Sequence, residues 1–398
     1  MWGSMNRREF LKKCGRGILL CSSVELLSQA LTTAEAGLLD LEKGYVGRKV
    51  SPYFTALPEK RIRCELCPRF CEVDDGDRGY CGVRENNNGK YYSLVYGNPC
   101  AVHVDPIEKK PFFHVLPGSR SFSLATAGCN FDCKFCQNWE ISQALPDDTY
   151  NYHLPPEEVA RQAERMRCSS VASTYVEPTI FMEYMQDIGA AVRQKSILNV
   201  MHSNGYVNER PLAELCRRLD AACIDLKGFS ESYYQEITEG TLAPVLETLK
   251  YLRHEGVHLE IVNLMIPGKN DDPREVGAMC QWIKKELGTQ VPLHFSRFYP
   301  MYKLKSLPPT PISTLERAVK IARQAGLHYV YIGNVPGHPA ENTNCPRCNN
   351  RLISRTGYRV EIVGLSGGKC RQCGQAIPGI WQLPQHTRAQ GMSNRWTT

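Results

Sequence analysis

Cys129-Asn130-Phe131-Asp132-Cys133-Lys134-Phe135-Cys136 sets three cysteines at the spacing C-x3-C-x2-C. The octapeptide directly follows an apolar run, 121–127, that reads as a β-strand. Three thiolates can hold three irons of a [4Fe-4S] cluster, whereas an electron carrier supplies a fourth thiolate for the last iron. The stretch therefore implies a cluster with one iron open to another ligand, and Cys129, Cys133 and Cys136 are the expected catalytic and metal-binding residues. A zinc knuckle also uses short cysteine loops. A three-cysteine loop at a strand end, with Gly128 before its first cysteine and Phe135 before its last, fits the cluster better.

Outward from this loop the chain alternates apolar runs with amphipathic stretches. Strands are expected at 121–127, 170–176, 198–203, 222–226, 258–265, 293–298 and 328–332. Between them, helical patterns begin at 155–161, with Pro and acids in the first turn, and continue at 179–195, 209–219, 242–255, 273–287 and 312–325. Strand–helix alternation of this kind builds a parallel sheet. Seven such strands suit an open or partial (β/α) barrel, with the barrel region at 119–340. Chemistry in such barrels sits at the C-terminal ends of the strands. Here those ends are polar: Tyr175-Val176-Glu177-Pro178, His202-Ser203-Asn204-Gly205, Asp225-Leu226-Lys227, Asn263, His294 to Arg297, and Asn334. Turn chemistry explains any one of them alone, but not six strands in succession.

An iron with an open position can chelate the amino and carboxylate groups of S-adenosylmethionine (SAM). One electron from the cluster then breaks the C–S bond to give a 5′-deoxyadenosyl radical, while the protein orients the cofactor. The triad resembles that of the radical SAM superfamily. Ala127-Gly128-Cys129-Asn130-Phe131-Asp132-Cys133-Lys134-Phe135-Cys136-Gln137-Asn138-Trp139-Glu140-Ile141-Ser142 is similar to the radical SAM protein of the AmmeMemoRadiSam system. So are Val104-Asp105-Pro106-Ile107-Glu108-Lys109-Lys110-Pro111, Tyr175-Val176-Glu177-Pro178-Thr179 and His294-Phe295-Ser296-Arg297-Phe298-Tyr299-Pro300; these three also resemble segments of pyruvate formate-lyase activating enzymes. The likeness spans roughly residues 60–382. It implies an α/β fold, a partial (β/α) barrel of the radical SAM type with small Cys-rich N-terminal and C-terminal metal-binding modules. It also implies that Phe135, Glu177, Ser203, Asn204, Asp225 and Lys227 meet the cofactor: Glu177 at the SAM amino end, Ser203 and Asn204 at the ribose hydroxyls, Asp225 and Lys227 at the carboxylate or the substrate. His294 and Arg297 are implied to bind an anionic substrate or peptide backbone. Val176 stands where this pattern carries a polar residue.

The chain holds 18 cysteines in 398 residues, and eleven of them fall into three tight groups. Cys64, Cys67, Cys71 and Cys81 belong to a small module at 61–118, and four sulfurs there suit zinc or a second [4Fe-4S] cluster. Several activating enzymes carry extra clusters in a comparable insert, which favours iron–sulfur. Cys345, Cys348, Cys370 and Cys373 form two C-x2-C turns in a module at 341–382, where zinc or rubredoxin-like iron would staple a unit too small for its own core. Close C-x-x-C pairs favour metal over disulfides. Cys14, Cys21, Cys100, Cys168, Cys216, Cys223 and Cys280 read as leader or buried core thiols.

Residues 1–43 contain Met5-Asn6-Arg7-Arg8-Glu9-Phe10-Leu11-Lys12-Lys13 and Ala34-Glu35-Ala36, which resemble a twin-arginine leader and its cleavage site. Arg16 and Glu25 interrupt the apolar stretch between them. Reduced thiolates and SAM supply favour the cytoplasm, while the leader leaves periplasmic export open. No run is long and apolar enough for a transmembrane helix. The net charge of +7 lacks the basic stripe with interleaved aromatics that nucleic-acid binding needs. The implied partners are an electron donor such as ferredoxin or flavodoxin, and the other members of the three-protein system. The expected activity is reductive SAM cleavage and hydrogen abstraction from a small molecule or peptide. Glycyl-radical activation is the alternative within that class. A multi-cluster electron carrier is the alternative outside it, and would predict four-cysteine ligation throughout.

Overall fold

A computed structural model describes residues 40–383; most of the leader reading, and the tail after 383, lie outside the described residues. The centre is a mixed α/β unit around one eight-stranded sheet: β1 Ala101–Pro106, β2 Arg120–Ala125, β3 Ser170–Ser173, β4 Leu198–Ser203, β5 Ala221–Asp225, β6 His258–Met265, β7 Leu293–Arg297 and β8 Val330–Gly333. Spatial order follows chain order, β1 to β8. Strands β2 to β8 are parallel, with registers such as Ser170 beside Ser121 and Ile261 beside Leu293. The connecting helices are α1 Pro156–Arg165, α2 Met182–Arg193, α3 Glu209–Cys216, α4 Ala243–His254, α5 Pro273–Glu286 and α6 Ile312–Ala325. This is the expected partial barrel.

Local rules account for the helix ends. Pro156 opens α1 with Glu157 and Glu158 in its first turn, and Val159, Ala160 and Ala163 form the buried face. The Asp272 side chain accepts from the Arg274 amide to cap α5, and Gly326 ends α6 at φ +100°, a left-handed value that favours glycine. Several expected elements are shorter than their sequence pattern, the third strand and α2 among them. The third strand stops at Ser173 because Tyr175 adopts φ +67°, and α2 starts at Met182 after a 3-10 turn over Pro178–Phe181.

Strand β1 pairs antiparallel with β2 and lies inside the stretch that sequence reading gives to the N-terminal Cys-rich module. As an edge strand it is only half-buried, so it lacks the continuous apolar run that marks the strands beside it. The rest of that module is built from short strands, among them Phe54–Ala56, Ile62–Cys64 and Glu72–Val73 in one sheet. Leu41–Lys43, within the expected leader range, pairs with Tyr150–Tyr152.

Residues 107–115 fold back under the barrel. Ile107, Phe112 and Val115 pack with Ala172, Leu198, Val200, Ala221, Cys223 and Val262, and Ile380 from the C-terminal module joins them, buried at 2% exposure. That module brings its own core, Leu352, Ile353, Leu365 and Ile377, against Phe113, Tyr329 and Tyr331. All sixteen cysteines among the described residues are free thiols; Cys168, Cys216, Cys223 and Cys280 are buried, and Cys100 is half-buried.

A buried polar web ties the module to the barrel. Glu260 accepts from the amides of Phe113 and His114 and from His258 and His294. His114 donates through Nδ1 to the Pro378 carbonyl at 2.6 Å, and its Nε2 lies 2.7 Å from the Tyr331 hydroxyl. Burial pulls its pKa to about 4, although Glu260 works the other way; His258, Arg355, Tyr331 and Tyr329 also face the ring. In the unfolded chain the ring takes a proton near its ordinary value of 6.5. Between those values the unfolded state holds more protons, so stability rises with pH through this window and is lost on acidification. Lowering the pH from 7 to 5 is expected to cost roughly 2 kcal/mol through this group. Denaturant titrations at the two pH values check it: His114→Gln should show a smaller difference than the native chain.

Candidate active site

The triad loop leaves the C-terminal end of β2. Gly128 takes φ +88°, and a Cβ there would lie 2.5 Å from the Cys81 carbonyl oxygen and 2.6 Å from Val83, so only glycine fits. The Gly128 amide donates to the Ile141 carbonyl. The amides of Asp132 and Lys134 donate to Thr238 and Ile237, at the end of the helical turn that follows β5. The Asp132–Lys303 ion pair, at 2.5 Å, holds the outer side. Cys136 Sγ lies 3.3 Å from Ser142 Oγ, and the Phe131 amide points at Cys129 Sγ at 3.4 Å.

The three sulfurs share one cavity of about 570 Å³ at the polar end of the barrel. The same cavity is lined by Phe135, Glu177, Ser203, Asn204, Asp225 and Lys227, so every residue expected to meet the cofactor lies on it. Glu177 is buried. Its carboxylate accepts from the Thr179 amide (2.9 Å) and hydroxyl (2.6 Å), the Ser203 hydroxyl (2.7 Å) and the Asn204 amide (2.7 Å). Burial raises its pKa in spite of these four bonds. Glu177 thus fixes the turns after β3 and β4 in one arrangement. Burial also pushes the Asp225 carboxyl up, but the Lys227 ammonium (2.8 Å) and His202 (2.9 Å) outweigh it and hold the group well below the usual carboxylate range. Val176 is buried and lines the cavity.

His294 and Arg297 do not join this lining. His294 is 1% exposed and belongs to the Glu260 web. Arg297 donates to the Thr310 carbonyl at 2.8 Å and to the Tyr299 hydroxyl.

Other residues do line the cavity but receive no role from sequence. Lys110 is buried, pairs with Asp105 at 2.5 Å, and lies 3.9 Å from the centre of the Tyr175 ring. Burial lowers its pKa to about 8, against the pull of Asp105. Tyr175 also donates to Asp105. A readable signal existed, since Asp105, Lys109 and Lys110 sit within six residues of a motif already singled out. Tyr358 reaches the cavity from the hairpin Arg351–Thr356 and Arg359–Ile362, and no local pattern announces that.

The two kinds of cysteine group differ in shape. Among the described residues, Cys345, Cys348, Cys370 and Cys373 are the one group whose ligand atoms all lie within 4.8 Å of one another. Two of their sulfur pairs are 3.6 and 3.7 Å apart. Tetrahedral ligation at a Zn–S bond of ~2.3 Å requires about 3.8 Å between sulfurs, so this site suits a single ion. The central three thiols are more widely spread around their cavity, as suits a cluster whose irons each take a different thiolate.

Residues 123–279 match the family model described as the radical SAM superfamily. An uncharacterized protein of Methanocaldococcus jannaschii is 44% identical over 327 residues, covering 82% of this chain and 97% of that protein. A pyruvate formate-lyase-activating enzyme of Listeria monocytogenes is 22% identical over 179 residues, covering 42% of this chain and 71% of the enzyme. The crystal structure of a domain of a pyruvate-formate lyase-activating enzyme from Bacteroides vulgatus aligns with a TM-score of 0.37 at 16% identity, over 41% of this chain and 98% of that one. No helix among the described residues is long and apolar enough to cross a membrane.

Proposed function

The chain belongs to the radical SAM superfamily, and on that premise we propose that it is an enzyme that cleaves SAM reductively and abstracts hydrogen from a small molecule or peptide. The observation that carries this reading is the meeting of Cys129, Cys133, Cys136, Glu177, Ser203, Asn204, Asp225 and Lys227 on one cavity. When bound, a [4Fe-4S] cluster and SAM supply a one-electron cleavage that yields a 5′-deoxyadenosyl radical. Cys129, Cys133 and Cys136 would hold the cluster. Glu177 shapes the adjacent wall by accepting from the Ser203 hydroxyl and the Asn204 amide, and both residues line the cavity. Asp225 stays ionised beside Lys227, giving a fixed dipole for the charged groups of an amino acid. Lys109 and Lys110 also line the cavity and share Asp105 as their one acidic partner, a surplus of positive charge that supports a substrate carrying an anionic group. The cavity volume matches that of small-molecule sites, ~300–1,000 Å³.

The segments around the triad, around Asp105 and around Glu177 support a place in the AmmeMemoRadiSam three-protein system, with ferredoxin or flavodoxin as reductant. A second reading, activation of a glycyl-radical enzyme, has the similarity to the Listeria activating enzyme in its favour. Anaerobic reconstitution, followed by dithionite and SAM, tests the common core: 5′-deoxyadenosine must form. Turnover with a candidate glycyl-radical enzyme as sole substrate would decide for the second reading.

At the C-terminal module we assign zinc-ribbon ligation to Cys345, Cys348, Cys370 and Cys373, on the sulfur spacing. Cys348→Ala is expected to remove about one zinc per chain and to lower Tm by roughly 5–10 °C. Metal analysis and thermal melting check this. Normal melting with lost turnover would give the module a catalytic or docking role instead.

A further inference from the structure

Of the chain's 48 Lys and Arg, eight lie in 343–398, and of its 41 Asp and Glu only Glu361 does, so the entire surplus of +7 falls in this C-terminal segment. Among the described residues, Arg347, Arg351, Arg359, Lys369 and Arg371 of the segment are exposed and have no ion-pair partner, while Arg355 is buried beside Glu108.

Folding gathers these cations. Arg347 and Arg371 each stand between two paired cysteines, and the four sulfurs lie within 4.8 Å of one another, so the two turns face each other. The Arg371 amide donates to the Gly364 carbonyl at 2.9 Å, and Gly364 lies so close to the Arg351 carbonyl that a side chain there would overlap it. Lys369 stands one residue before Cys370. Arg347, Arg351, Lys369 and Arg371 thus form one basic group at the metal end of the module.

From this group an exposed strand runs to the cavity. Arg359–Ile362 is the outer strand of the sheet it forms with Thr343–Asn344 and Arg351–Thr356. Among the described residues no strand pairs with its outer side, so every second N–H and C=O along that edge faces outward. Val363 and Gly364 continue the edge to the basic group, and at the other end Tyr358 turns the hairpin and lines the large cavity. The hairpin is a fixed wall. Arg355 donates to the Phe113 carbonyl at 2.7 Å and to the Thr343 hydroxyl at 2.8 Å, and Val360 packs on the core of the module.

Charged residues on an edge strand, such as Arg359 and Glu361, ordinarily keep other strands away. That purpose does not account for Tyr358 at 58% exposure, Ile362 at 47% and Val363 at 39% along the same edge. Tyr and Arg with few acids are what an interface core presents to a protein partner. A phosphate backbone would leave Ile362 and Val363 unmatched, and stacked bases would call for more than one exposed aromatic.

We propose that this edge is where a protein substrate docks: an acidic run meets the basic group, the neighbouring residues add to Arg359–Ile362 as one more strand, and the chain beyond passes Tyr358 into the cavity. The inference rests on the cavity being the place of hydrogen abstraction, and it narrows the substrate to a polypeptide. At ~3.3 Å per residue, the path from Arg359 to Val363 sets the acidic run roughly five to seven residues from the reacting one.

The test uses the reconstituted full chain and a short dye-labelled peptide of alternating Glu and Val, read by fluorescence anisotropy. Saturable binding is expected. It should weaken about tenfold or more when salt is raised to roughly 0.5 M, and again when Arg359→Glu and Arg371→Glu are combined, with Tm unchanged in that variant. The same peptide N-methylated at every residue keeps its charge but donates no main-chain hydrogen bond, and should bind about tenfold more weakly. A benzophenone at one end or the other of the peptide should cross-link to Tyr358. The proposal is overturned by a lack of saturable binding, by equal binding of the methylated peptide, by cross-links that miss Tyr358 from both ends, or by tighter binding of single-stranded RNA of equal charge. Anisotropy needs neither SAM nor turnover, so it decides the docking edge by itself. A native chain that forms no 5′-deoxyadenosine with dithionite would instead sink the radical SAM reading.

Discussion

Cys133→Ala is expected to drop 5′-deoxyadenosine formation to the level of an enzyme-free mixture, with about four irons lost per chain. The size of the effect follows from ligand number. Two thiolates cannot hold a cube that already lacks its fourth protein ligand. Cys133 is 8% exposed at the cavity wall, and the loop around it is pinned by other atoms: the Lys134 and Asp132 amides and the Asp132–Lys303 pair. The fold should therefore survive, with a stability change within about 2 kcal/mol. Deoxyadenosine counted by chromatography, beside a denaturant titration, separates the two effects. Cleavage that persists in this variant would remove the triad from the chemistry altogether.

Glu183→Ala is expected to destabilise the protein by roughly 3–5 kcal/mol, the typical cost of breaking a buried ion pair. Arg84 has a side-chain exposure of 0% and makes a two-pronged pair with Glu183, at 2.9 and 2.5 Å, with further bonds to Ser51 and the Ile180 carbonyl. Burial alone would lower the Arg84 pKa, but Glu183 more than reverses this, so the guanidinium stays charged. Without Glu183 that charge is stranded in a dry site. Because Arg84 lines the N-terminal cysteine pocket and Glu183 lies on α2, the pair also couples the Cys-rich module to the barrel. Urea denaturation measures the loss. A change below about 1 kcal/mol, the worth of an exposed pair, would show that the site admits water.

The parallel strands were legible because they are buried on both faces and read as continuous apolar runs; 198–203, 258–265 and helix 312–325 agree with the structure to the residue. The cavity wall was legible because barrel topology sends strand ends to one place, so Glu177, Ser203 and Asp225 converge from three strands. His294 shows the limit of that argument. It sits one residue into its strand, where the side chain joins the Glu260 web under the barrel, while Ser296, two residues on, lines the cavity. Distance along a strand decides between core and site, and the pattern of polar residues does not carry that distance. Tyr358 and Ile380 were out of reach for another reason. Their contacts join parts of the chain far apart in sequence, and nothing local encodes such a meeting.

The seating of Ile380 beneath the barrel has a bearing on how the protein is made. His114 and Pro378 are bonded across a separation of 264 residues, and Ile380 completes a core that begins at Ile107. At the usual pace of translation, ~5–20 residues per second, the first part of that core waits roughly 10–50 s for its last piece. During that interval the floor of the barrel lacks Ile380, the partner of Val115. A chain released before its C-terminal module has emerged would have an incomplete interior, and would be a natural client for chaperones or proteases.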